Sequence, residues 1–222
     1  MSISIEENWT RSDQFHNSFL TQPDETLEFA LKNSTDHGLP SIQVTTSQGK
    51  YLNLIAKTIG ARRILEIGTL GGFSTIWLAR ALPEDGKLIS CELEQTYAEV
   101  ARANLKNAGV QSKVEIIVAP AKETLSKMTP EQPFDLAFID ADKSSSLIYF
   151  LQAKRLVRKG GVVIVDNVVR RGTVADPAIT NDSNEGVRSL LKHLKDDKDV
   201  EATTIAWVGE KGYDGFLYAL LK

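Results

Sequence analysis

Residues 63–74 read RILEIGTLGGFS, and this stretch decides the fold class. Its short apolar run ends at Gly68, a pattern typical of a buried strand. Two further glycines allow a sharp turn, and a helix is predicted over Ser74–Leu82 before Pro83 stops it. A buried strand, a glycine turn and a helix together predict the first half of a β-α-β unit.

The same alternation continues along the chain. Further strands are predicted over Lys87–Glu92, Val114–Val118, Phe134–Ile139 and Val162–Val165, followed by an antiparallel pair over Glu201–Val208 and Gly215–Leu221. Helices are predicted between them over Gln95–Ala108, Ala121–Met128, Leu147–Val157 and Asn184–Leu194. Strands that alternate with helices predict a mainly parallel sheet covered by helices on both faces. We therefore expect an α/β, Rossmann-like fold with seven strands and an antiparallel C-terminal strand.

The chain contains neither a repeat nor a Pro/Gly/Ser-rich linker. We expect a single domain over 1–222, with a helical extension over 1–45 and a Rossmann-like core over 46–222. Three early helices are predicted, over Glu7–Leu20, Asp24–Asn33 and Ser47–Ile59. Their apolar faces must pack on the domain, a partner subunit or a substrate pocket. Val168–Ser183 lacks periodicity, and long irregular loops of this kind are often functional lids.

Composition and charge argue against several classes of protein. Lys and Arg number 26 against 29 Asp and Glu, so the basic excess of a nucleic-acid binder is missing. Apolar runs such as Val162–Val165 are far shorter than the ~20 residues that span a bilayer. Cys91 is the only cysteine, and the N-terminus lacks a basic and apolar leader. We expect a cytoplasmic protein that binds neither nucleic acid nor membranes.

The residues at the ends of the first and second predicted strands indicate a ligand that contains a nucleoside. Leu70 stands where the dinucleotide fingerprint GxGxxG needs its second glycine, and the carboxylate of Glu66 would repel a pyrophosphate. A carboxylate beside a glycine turn suits a ligand with an ammonium group instead. Glu92 ends the second strand, where an acidic residue accepts hydrogen bonds from ribose hydroxyls. These features favour S-adenosylmethionine, although Gly68 and Gly72 could be turn glycines only and Glu92 a surface carboxylate.

Oxygen-bearing side chains follow two later strands. Asp140 ends one predicted strand, and Asp166 and Asn167 end the next. If these strands are neighbours, two carboxylates and an amide converge in a set that suits a hard cation such as Mg²⁺. The alternative for a single strand-end aspartate is a helix N-cap, and Asp142 could cap a helix or contact the ligand. Lys143 is a candidate proton acceptor, or a solvated lysine at a helix start.

These residues resemble a known family, the cation-dependent small-molecule O-methyltransferases, which includes caffeoyl-coenzyme A and catechol O-methyltransferases. Four stretches carry the resemblance: EIGTLGGFS at 66–74, ALPEDGK at 81–87, FIDADK at 138–143 and DN at 166–167. The stretch at 166–177, DNVVRRGTVADP, is most similar to the microbial members. The resemblance implies the methyltransferase version of the Rossmann-like fold, a homodimer, and methyl transfer from S-adenosylmethionine to a vicinal aromatic diol of the catechol, caffeoyl or flavonoid type.

The resemblance also assigns residue roles. A divalent cation, expected to be Mg²⁺ with Mn²⁺ or Ca²⁺ as alternatives, would be held by Asp140, Asp166 and Asn167, with Lys143 as the base. The cofactor contacts it implies are Val44, Thr46, Glu66, Gly68, Ser74, Glu92, Ala121 and Asp140. One departure concerns a tyrosine that the family often has three residues after this lysine. That position is Ser146 here, while Tyr149 keeps a second tyrosine position.

Three other functions remain open from sequence. An NAD-linked oxidoreductase would use a similar sheet, but Glu66 and Leu70 argue against it. A methyltransferase of nucleic acids or proteins is disfavoured by the acidic balance and by DADK at 140–143, where amino-methylating nucleic-acid enzymes carry Asn/Asp-Pro-Pro-aromatic. A non-catalytic relative that only binds the cofactor is disfavoured by the intact Asp140, Lys143 and Asp166.

Overall fold

The computed structural model describes residues 4–129 and 132–222, which form seven strands and eight α-helices. The strands are β1 (Arg63–Ile67), β2 (Lys87–Glu92), β3 (Val114–Val118), β4 (Phe134–Ile139), β5 (Val157–Val165), β6 (Val200–Gly209) and β7 (Gly212–Leu221). The helices are α1 (Ile5–Leu20), α2 (Glu25–Asp36), α3 (Thr46–Thr58), α4 (Phe73–Ala79), α5 (Gln95–Asn107), α6 (Ala121–Lys127), α7 (Ser146–Leu156) and α8 (Asp182–Asp196). Within these ranges no helix has the length and apolarity to cross a membrane.

The strands form one mixed sheet in the order β3-β2-β1-β4-β5-β7-β6. The first five pair in parallel, and β7 runs antiparallel between β5 and β6. This confirms the predicted fold class, including the antiparallel end. Strand order reverses between β1 and β4, where open α/β sheets form their ligand crevice.

The sheet is buried on both faces. Ile64 of β1 packs in a core with helices α2 to α5, whereas Leu65 and Ile67 pack in a second core with α6 to α8. All three side chains are fully buried. Since side chains alternate along a strand, Glu66 lies on the same face as Ile64.

Several predicted boundaries were wrong. Helix α4 ends at Ala79 and not at Leu82, α7 ends at Leu156 because Val157 belongs to β5, and β7 begins at Gly212 and not at Gly215. The strand predicted over Val162–Val165 begins at Val157, because Val157 pairs with Phe134 before the register shifts ahead of Leu136. Val168–Ser183 is not wholly irregular, since Arg170–Ala175 contains short 3₁₀-like turns that are interrupted by a kink at Arg171 and Gly172. The early helices agree with the prediction, and α2 adds Leu27 and Ala30 to the core. The division of the chain at residue 45 stays a prediction.

Candidate active site

The carboxyl ends of β1, β2 and β4 border a cavity of about 670 Å³. Gly68, which lines this cavity, allows two backbone segments to pack unusually close together. Its φ is +100°, and a Cβ at this position would lie 2.0 Å from the carbonyl oxygen of Asp140. The backbones after β1 and β4 therefore approach each other as only glycine allows.

Glu66 lies beneath this cavity and does not line it. Its side chain is fully buried and accepts hydrogen bonds from the hydroxyls of Ser74 at 2.7 Å, Thr75 at 2.6 Å and Ser90 at 2.6 Å. Burial raises the pKa of Glu66 to about 7 in spite of these three donors. The carboxylate thus anchors the start of α4, and with it Ser74, which does line the cavity.

Replacing Glu66 by Gln is expected to remove a pH dependence of stability. The folded pKa of about 7 exceeds the reference value of 4.5, so the folded state retains a proton that the unfolded state loses. Stability should therefore fall by about 3 kcal/mol as pH rises from about 4.5 to 7. Urea unfolding of the metal-free protein at pH 5 and pH 8 measures this difference, which should shrink in Glu66→Gln.

The exposed Glu115 of β3 provides the matched control. Glu115→Gln makes the same chemical change at a solvated position and should leave the pH dependence as in the wild type. An unaltered difference between pH 5 and pH 8 in Glu66→Gln would contradict the raised pKa.

Glu92 lies at the rim of the cavity and holds two loops. One carboxylate oxygen accepts from the backbone N–H groups of Thr69 at 3.1 Å and Leu70 at 2.7 Å. The other accepts from the N–H groups of Leu93 at 2.9 Å and Glu94 at 3.0 Å. Its carboxylate is thus fixed at the mouth, where it remains a candidate to accept a ligand's hydroxyls.

Lys143 lies in a short 3₁₀ turn after β4. Its Nζ is 2.7 Å from Oδ1 of Asp140, and the two side chains are only 10% and 22% exposed. Ser146 donates its hydroxyl to the Lys143 carbonyl at 2.7 Å. Asp142 accepts from Ser145 and Tyr149 and so shapes the turn as well as lining the cavity.

Asp166 and Asn167 follow the strand next to Asp140. Ile139 pairs with Val165, and the Asp166 N–H donates to the Ile139 carbonyl at 2.9 Å, so the two strand ends are direct neighbours. Asp166 is 4% exposed and accepts from the Asn167 N–H at 2.6 Å. Burial, followed by the charge of Asp140, raises the pKa of Asp166 well above its usual range.

This donor set fits a divalent cation. Within the described ranges, no three His, Cys, Asp or Glu side chains lie together in a way that could hold a metal ion. The candidate ligands are the carboxylates of Asp140 and Asp166 and the side-chain amide of Asn167. Hard oxygen ligands of this kind suit Mg²⁺, Mn²⁺ or Ca²⁺. A cation here would also offset the repulsion that raises the pKa of Asp166. One cation bound beside Asp140 and Asp166 would therefore stabilise the charged forms of both carboxylates.

A second cavity of about 240 Å³ adjoins the first. Asp166 and Asn167 line it, and Tyr51, Trp207 and Phe216 contribute aromatic side chains to its walls. Asn167 and the segment at 42–44 line both cavities. The arrangement separates a larger space beside β1 and β2 from a smaller aromatic one beside β5 to β7.

Most residues predicted for the site come together. The larger cavity is lined by Val44, Gly68, Ser74, Glu92, Ala121, Asp140, Lys143 and Asn167. Asp166 lines the smaller cavity. Glu66 and Thr46 line neither, since Glu66 is buried beneath and Thr46 is the first residue of α3.

Sequence reasoning missed three residues. Asp214 at the start of β7 hydrogen-bonds to Asn167. Lys211 reaches the carbonyls of Ser41 and Gln43, and burial lowers its pKa. A Cβ on Gly186 would lie 2.0 Å from the Lys143 carbonyl, so α8 supports the lysine turn at close range. Lys211 and Asp214 lie between the last two predicted strands, and the structure shows that this hairpin turns between Gly209 and Gly212. No local pattern in the sequence indicated their distant neighbours.

Comparison with known proteins gives consistent matches. A family model described as O-methyltransferase matches residues 18–213. A catechol O-methyltransferase of Mycobacterium tuberculosis is 44% identical over 223 residues, covering 100% of both chains. The O-methyltransferase TomG from Streptomyces achromogenes, solved with SAM, has a TM-score of 0.95 and 44% identity over 99% of this chain and 100% of its own. An O-methyltransferase from Bacillus cereus, solved with SAH, has a TM-score of 0.96 and 41% identity over 98% and 100%.

Proposed function

This chain belongs to the O-methyltransferase family and is an S-adenosylmethionine-dependent enzyme, and from that premise we propose that it methylates one hydroxyl of a vicinal aromatic diol held on a divalent cation. The observation that carries the proposal is the junction of the two cavities. Asp140 and Lys143 face the larger one, Asp166 faces the smaller one, and Asn167 lines both. A methyl donor and an acceptor bound on either side would meet at these residues.

Family membership argues against the NAD-linked oxidoreductase. The matching model is that of O-methyltransferases, and both ligand-bound neighbours carry SAM or SAH. It argues equally against a methyltransferase of nucleic acids or proteins, because the M. tuberculosis relative is named for catechol. The non-catalytic relative is the alternative that a turnover assay decides.

The larger cavity is our candidate for the cofactor. Val44, Gly68, Ser74, Glu92, Ala121 and Asp140 line it and would contact S-adenosylmethionine. Glu92 would accept from the ribose hydroxyls. Glu66 and Thr46 do not line this cavity, so they would influence the cofactor indirectly. Glu66 would do so by accepting the hydrogen bond of the Ser74 hydroxyl, which holds Ser74 in place.

The smaller cavity is our candidate for the acceptor. Trp207 and Phe216 meet edge to face with ring centroids 3.9 Å apart, and the Tyr51 ring lies tilted beside Phe216 with centroids 6.2 Å apart. Aromatic walls of this kind favour a flat aromatic ligand. The name of the M. tuberculosis relative supports a catechol, and caffeoyl and flavonoid diols share the same vicinal hydroxyls.

The proposed mechanism assigns each residue one task. Asp140, Asp166 and Asn167 would hold the cation, and its charge would lower the pKa of an acceptor hydroxyl from the ordinary value near 10. Lys143, nearly enclosed beside Asp140, would take the released proton as a neutral amine, the form that a cation bound nearby would favour. The walls of the two cavities would align the acceptor oxygen with the methyl group, and such positioning can contribute ~7–11 kcal/mol.

Lys143→Met is expected to lower kcat by about 100-fold because it removes the proposed proton acceptor. Lys143→Arg places a permanent positive charge at this position and cannot accept a proton at neutral pH, so its rate should stay low. Initial rates are measured for both variants at saturating S-adenosylmethionine, and the Kd of the cofactor is measured separately because Lys143 lines the larger cavity. A wild-type rate in Lys143→Arg would limit the lysine to an electrostatic role.

A direct assay tests the proposed function. The protein is incubated with S-adenosylmethionine and a panel of catechols, caffeoyl esters and flavonoids, with Mg²⁺ or with a chelator, and methylated products are identified by mass spectrometry. The controls are the corresponding 1,3-diols and monophenols, which cannot chelate through adjacent hydroxyls. Methylation of vicinal diols that the chelator abolishes supports the proposal. Equal turnover of 1,3-diols, or turnover in chelator, contradicts it.

We further propose that the chain forms a homodimer through α1. Four aromatic or aliphatic side chains of this helix are 60–70% exposed, namely Ile5, Phe15, Phe19 and Leu20, and none of the residues of α1 is buried. Burying each on association would contribute roughly 1.5–3 kcal/mol. The double change Phe15→Ser/Phe19→Ser is therefore expected to convert a dimer into a monomer in light scattering.

The control for this prediction is Leu54→Ser, which alters an equally apolar residue on α3 that is 49% exposed. It should leave the dimer intact. A monomeric wild type would contradict the proposed assembly.

A further inference from the structure

The segment after β5 has an unusual backbone. Asn167, Arg170 and Arg171 have φ values of 55°, 53° and 56°, in the left-handed region that residues other than glycine rarely adopt. Such residues persist only where the surrounding structure holds them. Since Asn167 is a candidate cation ligand, whatever holds this segment also sets the geometry of the site.

Asp214 holds it with both carboxylate oxygens. Oδ1 accepts from the backbone N–H groups of Val169 at 3.1 Å, Arg170 at 2.9 Å and Gly215 at 2.8 Å. Oδ2 accepts from the side-chain amide nitrogen of Asn167 at 3.1 Å. One side chain therefore ties together the turn that follows β5.

The hydrogen bond between Asp214 and Asn167 determines which atom of the Asn167 amide faces Asp214. An ionised carboxylate only accepts hydrogen bonds, so it must face the nitrogen of the Asn167 amide. The amide oxygen is then left for other partners, and oxygen is the atom that binds a hard cation.

The β6–β7 hairpin brings Asp214 into this position. Asp214 pairs with Trp207 across the hairpin, and Gly215 follows it. A Cβ on Gly215 would lie 2.7 Å from both the Ile205 carbonyl and Val169 Cγ2, so glycine allows β7 to approach the turn. The Gly215 carbonyl also accepts from the Val168 N–H at 3.1 Å.

We propose that Asp214 is a positioning residue that orients the amide oxygen of Asn167 toward the cation site. The inference rests on the proposed function, because it requires a cation at Asp140, Asp166 and Asn167. Asp214 itself lines the smaller cavity beside Asn167, and it touches the site through that amide.

The test is Asp214→Asn, in which the new amide can keep its oxygen toward the three backbone N–H groups. Its nitrogen would then face the nitrogen of Asn167, and the Asn167 amide should turn over to pair with it. The cation would lose its amide oxygen. We expect Mn²⁺ affinity, measured by electron paramagnetic resonance without acceptor, to fall by about 10- to 100-fold.

A second variant exchanges the two groups. In Asp214→Asn/Asn167→Asp, the amide at 214 donates to a carboxylate at 167, which keeps its other oxygen for the cation. Most of the lost Mn²⁺ affinity should return. The Kd for S-adenosylmethionine without metal, and the Tm, serve as readouts of general damage and should stay near the wild-type values in both variants.

The outcomes are distinct. Wild-type Mn²⁺ affinity in Asp214→Asn overturns the positioning role, as does a loss that the exchange does not recover. A wild-type protein that binds S-adenosylmethionine but no Mn²⁺ overturns the proposed cation site itself, and the inference with it. Loss in the single variant with recovery in the exchange supports both.

Discussion

Asp166→Asn is expected to lower the methyl-transfer rate by about 10³-fold, since a bound cation contributes several kcal/mol to catalysis. Affinity for S-adenosylmethionine should change little, because Asp166 lines the smaller cavity and not the larger one. Steady-state rates with saturating Mg²⁺, and the cofactor Kd from calorimetry, measure the two effects.

The same change should not weaken the metal-free protein. Asp166 is 4% exposed, and burial with the nearby charge of Asp140 raises its pKa well above its usual range. Replacing a buried carboxylate, whose charged form is disfavoured by burial and by Asp140, with a neutral amide relieves a cost of folding, so the free energy of unfolding at pH 8 should stay equal or rise. An inactive variant that is no less stable would separate function from folding at this residue.

Asp36→Asn is the control, since Asp36 is half exposed at the end of α2. It should change neither the rate nor the affinity for Mg²⁺. Full Mg²⁺-dependent activity in Asp166→Asn would rule out the cation role of this carboxylate.

Gly68→Ala should destabilise the protein by about 3 kcal/mol or more and weaken cofactor binding. The new Cβ would lie 2.0 Å from a backbone carbonyl, and the φ of +100° disfavours any residue with a side chain. Steric overlap and backbone strain each cost about 1–3 kcal/mol. Urea unfolding measures the loss of stability, and calorimetry measures the Kd for S-adenosylmethionine.

Gly38→Ala separates the two causes. Gly38 has a similar left-handed backbone, with φ of +73°, but its Cβ would meet nothing within 4 Å. It should cost only about 1–2 kcal/mol and leave cofactor binding unchanged. Equal losses in the two variants would mean that the approach of Gly68 to Asp140 contributes nothing.

The site could be predicted in part because parallel strands end at a common edge. Asp140 and Asp166 each follow a strand that is recognisable from its apolar run, and neighbouring strands bring these residues together. The resemblance of 138–143 and 166–167 to O-methyltransferases added roles that the spacing alone left open. The family match then confirmed the enzyme class.

Glu66 shows where such reasoning ends. Its position after two apolar residues identifies a strand, but the pattern does not say what its carboxylate contacts. The structure places it on the face covered by α4, where three hydroxyls of Ser74, Thr75 and Ser90 surround it. The sequence led us to expect that Glu66 contacts the cofactor directly. In the structure it is fully buried beneath the cavity and supports Ser74, which lines the cavity.

By itself the sequence determined the order of strands and helices, the glycine turn after β1 and the acidic strand ends, because periodicity and turn chemistry act between residues close in the chain. Only the tertiary structure decided that Asp214 holds Asn167 from 47 residues away and that Gly186 supports Lys143. Such contacts depend on how the β6–β7 hairpin and α8 pack against the sheet, and no local pattern encodes that packing.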